Sequence, residues 1–358
     1  AEFTFLFATE AEALAFATAL PTPKDSVVTG PEGNALPDTD LGSVFIVGPG
    51  MSIQAAIDAA QAGDTIQILE GTYAENITVN KDGLTIIGIG DPEDILIQGS
   101  FKTDNGITGS VVDWIGPQTS YSNVSGNGVT VTGDDVTLNN LTIKGFYAGI
   151  NLGNGIEGLT LDGVDVTEGV VGIVKATMAA VDDMTITGGS FADLYQGIVI
   201  QKGLGGGKVD GLTITGTAFT HLGEKGIYLE TGSNVLITGI SMTDVGTYGR
   251  GDAFGNIGEW GTGIDVNLKY DDGVAYSNIV IEDFAMTNVG LSNGAGSSHF
   301  GGAAISIKAR NDGPSYNVNS AAFTGQVIVR DGSIDTTSTG IRSGEPGKNL
   351  AAPGATAV

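Results

Sequence analysis

The chain of 358 residues contains no cysteine. Disulfides, thiolate nucleophiles and thiolate metal sites are thereby excluded. Only two histidines are present, His221 and His299, too few for a polyhistidine metal centre. Basic residues are scarce: 15 lysines and arginines face 41 acidic residues, a net charge of −26. Such a surface repels nucleic acid and anionic membranes and disfavours an anionic polysaccharide unless a cation bridges the two. It also invites divalent cations, calcium first among them. The opening AEFTFLFATEAEALAFATAL is interrupted by Glu10 and Glu12 and is too short to span a bilayer. No basic leader precedes it, so it reads as the start of a mature fragment with apolar spacing suited to covering a solenoid end. Helical periodicity is missing after about residue 62.

Glycine is abundant, with 58 residues, and 41% of the chain is apolar, too much for disorder. There is no Gly-X-Y period, so the glycines read as turn residues between many short strands. Two strand-like series repeat along the chain. The first runs VTLNN (136–140), LTLDG (159–163), MTITG (184–188), LTITG (212–216), VLITG (235–239), IVIED (279–283) and VIVRD (327–331). The second runs GINLG (149–153), GIVKA (172–176), GIVIQ (197–201), GIYLE (226–230), GIDVN (263–267), AISIK (304–308) and GIRSG (340–344). They interleave with a period of roughly 23 to 28 residues, as stacked solenoid repeats do. Each apolar-x-apolar triplet sends two side chains to one face. Stacking therefore predicts one interior row of Ile150, Ile173, Ile198, Ile227, Ile264 and Ile305. The fold class expected is all-β: a right-handed parallel β-helix over 51–345 with a short helical cap. Residues 1–50 form a lead-in and cap, and 346–358 a tail or the start of a further segment.

Residues 51–79 read MSIQAAIDAAQAGDTIQILEGTYAENITV. Ser52 is placed to cap a short helix whose apolar face is Ile53, Ala56, Ile57 and Ala60. This stretch, followed by LTIIGIG (84–90), resembles the opening of the pectin-lyase-like β-helix superfamily. With Gly71, Tyr73 and Glu75 it also resembles the start of pectin methylesterases. The resemblance covers the frame and stops short of the chemistry. The Leu-Gly-Arg-Pro-Trp motif of pectin methylesterases and the Asp-Pro-His-Glu motif of alginate C5-epimerases are absent. Gly71 to Glu75 is therefore read as a turn with Tyr73 in the core. The acidic, glycine-rich, cysteine-free character also resembles β-helix modules of large secreted bacterial surface proteins. That likeness implies a secreted or cell-surface scaffold, adhesive or glycan-binding surface. The polysaccharide-active members of the superfamily imply the alternative, a lyase or epimerase.

Chemistry is expected where loops lengthen, because functional groups concentrate on loops over a rigid frame. Two consecutive coils carry long excursions, SMTDVGTYGRGDAFGNIGEWGTG and AMTNVGLSNGAGSSHFGG, with long returns KYDDGVAYSN and ARNDGPSYNVNSAAF. They gather catalytic candidates Asp265, Lys269, Lys308, Arg310 and His299, and ligand-binding candidates Tyr248, Arg250, Trp260 and Tyr270. Asp271 and Asp272 are the candidate calcium ligands, and Ca2+ the only cofactor expected. Paired carboxylates, a lysine or arginine base and aromatic platforms suit a sugar chain. The same residues also serve as decorated turns that cover the strands or meet a neighbouring protein module. The partners expected are a polysaccharide or such a module, with no nucleic acid and no membrane insertion. GLGGGK (203–208) lacks the spacing of a phosphate loop and reads as a turn.

Overall fold

A computed structural model describes residues 3–5, 42–99, 126–246, 261–270, 275–291, 302–310, 323–337 and 339–344, with backbone alone at 3–5 and 310. Among these, 26 strands join one continuous sheet in which every pairing is parallel. The sheet winds into coils with three faces. Face A holds Thr65–Leu69, Thr85–Ile89, Val181–Thr187, Val209–Thr215, Ser233–Thr238, Tyr276–Glu282 and Phe323–Arg330. Face B holds Gly71–Tyr73, Ile95–Gln98, Ala218–Leu222, Ser241–Val245, Ala285–Val289 and Ser333–Asp335. Face C holds Ile77–Val79, Asn127–Val131, Ala148–Leu152, Lys225–Leu229, Thr262–Lys269, Ala303–Arg310 and Ile341–Ser343. The strand Thr160–Lys175 runs unbroken through all three. Each parallel neighbour is reached only by travelling once around the coil, the connection for which right-handed crossovers are the rule. The fold is a right-handed parallel β-helix.

The isoleucine row is present as expected. Ile150, Ile173, Ile198, Ile227, Ile264 and Ile305 are partners in successive coils and all are fully buried. Val129 and Ile77 extend the row at one end, and Ile341, half exposed, closes it at the other. The glycine before Ile150, Ile173, Ile198, Ile227 and Ile264 is a packing requirement, and Ala304 stands in its place before Ile305. A Cβ at Gly172 would lie 2.4 Å from the Phe191 ring, and one at Gly197 would lie 2.4 Å from the carbonyl oxygen of Gly226. That space admits the face B column Val166, Phe191, Phe219 and Met242, in which Phe191 and Phe219 stack at 5.3 Å.

Face B corrects the two-series reading. SMTDV (241–245) and AMTNV (285–289), read as the first part of two long excursions, are face B strands. The insertions begin after Gly246 and Gly290 and end before Gly261 and Gly302. Both leave from the corner between faces B and C in adjacent coils, as Gly290 N–H donates to Val245 O and Ala303 N–H to Gly261 O. The face B pattern escapes alternation because its fourth residue takes a left-handed backbone. Asp193, His221, Asp244 and Asn288 have φ between 54° and 56°, a conformation that short polar side chains tolerate. The turn shifts the next inward residue to three positions on, as in Phe219 and Leu222 or Met242 and Val245.

The helical cap is Ile53–Ala59, with Ser52 Oγ accepting from Ala55 N–H at 3.1 Å. Glu75 completes the cap, its carboxylate accepting from Ile53 N–H at 2.7 Å and Gln54 N–H at 3.2 Å. Tyr73 is buried and donates to Leu69 O at 2.7 Å and Val47 O at 3.1 Å. Tyr73 is in the core as the residues suggested, but Gly71–Tyr73 is a short face B strand rather than a turn. Burial, with Glu75 nearby, pushes the Tyr73 hydroxyl up to about 12. The strand Phe3–Phe5 pairs in parallel with Val44–Val47 and lies on the first edge of face A.

Candidate functional site

The outer side of face C carries a charged network built from positions three and five of each second-series segment. In three successive coils these are Tyr228 and Glu230, Asp265 and Asn267, and Ser306 and Lys308. Alternation points them away from the isoleucine row. Polar side chains there are nonetheless withdrawn from water: Asp265 is 1% exposed, Asn267 and Glu230 are buried, and the Lys308 side chain is 7% exposed.

Asp265 is the centre of one half. Its Oδ2 lies 2.9 Å from Lys225 Nζ and its Oδ1 lies 3.4 Å from Lys308 Nζ. The second contact is an ion pair without good hydrogen-bond alignment, which leaves Oδ1 buried and without a hydrogen bond. Lys308 stands in register with Asn267, two positions along from the Asp265 partner Ser306. It reaches the carboxylate diagonally. Burial acts to raise the Asp265 carboxyl, and Lys225 and Lys308 outweigh it, so the group falls to about 2.

Glu230 is the centre of the other half. It accepts from Tyr228 Oη at 2.5 Å, pairs with Lys269 Nζ at 2.5 Å, and accepts from Lys202 N–H at 2.7 Å. Asn267 Nδ2 joins the halves by donating to Tyr228 Oη at 2.8 Å, and Lys225 Nζ lies 3.7 Å from the Tyr228 ring centroid. Burial first, then the charges of Glu230 and Asp265, push the Tyr228 hydroxyl well above its ordinary value. At neutral pH the Asp265 carboxylate is therefore anionic and the Tyr228 phenol neutral, with lysines placed beside them.

Three sequence candidates, Asp265, Lys269 and Lys308, come together here. Tyr270 follows the strand Thr262–Lys269 with a left-handed backbone at φ 60°. Arg310 pairs with Lys269 in the register. Tyr248, Arg250, Trp260, Asp271, Asp272 and His299 lie outside the described residues. The residues missed were Lys225, Tyr228, Glu230 and Asn267. Reading positions three and five of GIYLE and GIDVN as one outward column would have found the last three.

A second buried cation lies at the corner between faces C and A. Lys175 is fully buried, and its Nζ donates to Gln201 O and Gly207 O, both at 2.8 Å. GLGGGK is thus a turn, with Gly206 N–H donating to Gly203 O, wrapped over a lysine rather than a phosphate. Burial, aided by Lys202 and opposed by Glu230, lowers the Lys175 ammonium to about 8. Among the described residues, no group of three His, Cys, Asp or Glu side chains is placed to hold a metal, and no helix is long and apolar enough to cross a membrane.

The three-faced parallel coil defines the class: a right-handed parallel β-helix. No family model and no curated sequence relative matches the chain. Among solved structures it is similar to an alginate lyase from Paenibacillus sp. strain FPU-7, at 13% identity over 84% of this chain and 97% of that one, with a TM-score of 0.46. It is also similar to PfbA, a surface adhesin of Streptococcus pneumoniae, at 14% identity over 80% and 76%, with a TM-score of 0.45. A third is the pectate lyase Pel9A, at 13% identity over 83% and 79%, with a TM-score of 0.36. Likeness at this level concerns the fold and does not choose between enzyme and adhesin.

Proposed function

We infer that this chain is a scaffold and glycan-binding module of a secreted or cell-surface protein, presenting face C and its flanking insertions to a polysaccharide. The observation that carries this reading is the closed state of the Asp265–Glu230 network. A general base poised near neutral pH needs a pKa near 7 and a path to substrate. Asp265 sits at about 2 and is buried, and Tyr228 is shifted upwards, away from the phenolate form. Buried, mutually neutralised charges hold adjacent coils in one geometry, which suits a rigid binding surface. The absence of cysteine and the net charge of −26 accord with a soluble extracellular module. The test is a glycan array probed with the intact chain, with calcium present and absent. Saturable binding to one glycan class supports the reading, and binding to none sets it aside.

One observation favours a second reading, a polysaccharide lyase or epimerase. Lys308, Asp265, Lys225 and Tyr228 converge beside the corner from which the 247–260 and 292–301 insertions depart. In that reading Lys308 is the base and Asp265 positions it.

A further inference from the structure

Face A carries a feature that the face C reading does not use. Thr65, Thr85, Thr137, Thr160, Thr185 and Thr213 are register partners in six successive coils. All six point outward and are partly exposed. Two residues along each strand, a parallel outward column reads Gln67, Ile87, Asn139, Asp162, Thr187 and Thr215. Strand geometry sets the array: about 4.8 Å between coils and about 6.6 Å between the columns. Together the columns hold eight threonines, no aromatic residue and one charge, Asp162, in a chain whose net charge is −26. These threonine hydroxyls take part in no side-chain hydrogen bond among the described residues. Amide and carboxylate groups behave otherwise and pair from coil to coil, Asn139 Nδ2 with Asp162 at 2.8 Å inside the array and others in neighbouring turn columns. Asn234 Nδ2 donates to Asp210 at 2.7 Å, Asn278 Nδ2 to Asn234 at 2.9 Å, and Asn288 Nδ2 to Asp244 at 3.0 Å.

We propose that the threonine array on face A binds the surface of crystalline water, ice. A β-branched side chain is stiff at χ1, so each hydroxyl and methyl is held on the lattice of the backbone. Each contact is weak, and binding grows only if many are made at once without further ordering cost. A ligand with a fixed repeat meets that condition, and liquid water or a flexible chain does not. The coil spacing is close to the repeat of water oxygens in ice. Methyl groups favour an ordered first water layer, and the hydroxyls, unengaged among the described residues, join it by hydrogen bonds. A crystalline polysaccharide is the neighbouring possibility, but sugar faces are usually met by aromatic platforms, and this array has none.

The experiment grows ice slowly from a solution of the intact chain and measures the fraction of protein taken into the ice. A Thr185→Tyr/Thr213→Tyr variant, a Thr187→Lys variant and a Thr243→Tyr control on face B run alongside, each checked by circular dichroism and melting temperature. The expected result is uptake of the parent and the face B control, lower by several-fold in both face A variants. If the double variant fails to fold, Thr187→Lys, at an exposed position, carries the comparison. Exclusion of the parent from ice overturns the proposal, as does equal uptake of folded face A variants. Crystalline cellulose and chitin are offered in parallel. Retention on them that is lost in the face A variants, with no uptake into ice, overturns ice in favour of a crystalline glycan. Because the variants lie on face A, these outcomes are independent of glycan binding on face C.

Discussion

Lys225 Nζ lies 2.9 Å from Asp265 Oδ2 and 3.7 Å from the centroid of the Tyr228 ring, so one ammonium joins two coils through a charge and a π-face. Removing the carboxylate leaves Lys225 and Lys308 facing each other in a site nearly closed to water. Asp265→Ala is expected to cost about 3–5 kcal/mol, the usual consequence of breaking a buried pair from one side. Chemical denaturation of the variant measures it. A loss below about 1 kcal/mol, the size of a surface pair, would show that water reaches the network.

The same carboxylate sets an acid limb. Its folded pKa, about 2, lies below the ordinary 3.8, so the unfolded chain binds the proton first as pH falls. Asp265 therefore contributes full stability above about pH 4 and loses it as pH falls towards 2. Comparing parent and Asp265→Asn across that window should show their difference shrinking with acidification. A pH-independent difference would contradict the assignment.

Lys175 works in the opposite range. Its folded pKa, about 8, lies below the ordinary 10.5, so the unfolded chain holds more protons between those values. Stability gained from this group rises as pH increases from 8 towards 10.5. Relative to Lys175→Met, the parent should gain stability over that interval. A parallel pair of pH profiles would mean that Lys175 titrates as it does in water.

The interior row offers the simplest test of register. Ile198→Asp buries an unpaired charge between Ile173 and Ile227 and should cost several kcal/mol. A variant melting with the parent would break the row. Calcium, expected from the net charge and from acidic turns such as Asp271 and Asp272, should raise the melting temperature beyond an equal ionic strength of sodium. Equal shifts would leave screening alone.

What could be read beforehand follows from periodicity. Ile198 and Ile227 were legible because apolar-x-apolar alternation survives in their strands. Phe219 and Leu222, or Met242 and Val245, were not legible as a strand pair, because left-handed His221 and Asp244 shift the inward positions from two apart to three. Asp265 and Lys308 stood out as charges in a strand series. Glu230 and Tyr228 stood in the same series one coil earlier, but their contact with Lys269 and Asn267 is made across coils and leaves no local spacing in the sequence. The diagonal reach of Lys308 depends on side-chain length and packing, which spacing does not encode. Likewise, the lowered Lys175 depends on the turn at 203–207 folding its carbonyls over the ammonium.

In the proposed function, face C holds a ligand without transforming it. The most direct measurement follows ultraviolet absorbance of unsaturated products and the release of reducing ends on alginate, pectate and neutral glycans, with calcium present. Whichever glycan binds on the array is included. The account predicts binding without turnover for the parent and for Lys308→Ala. Turnover by the parent that disappears in Lys308→Ala at an unchanged melting temperature would contradict it and establish the lyase reading.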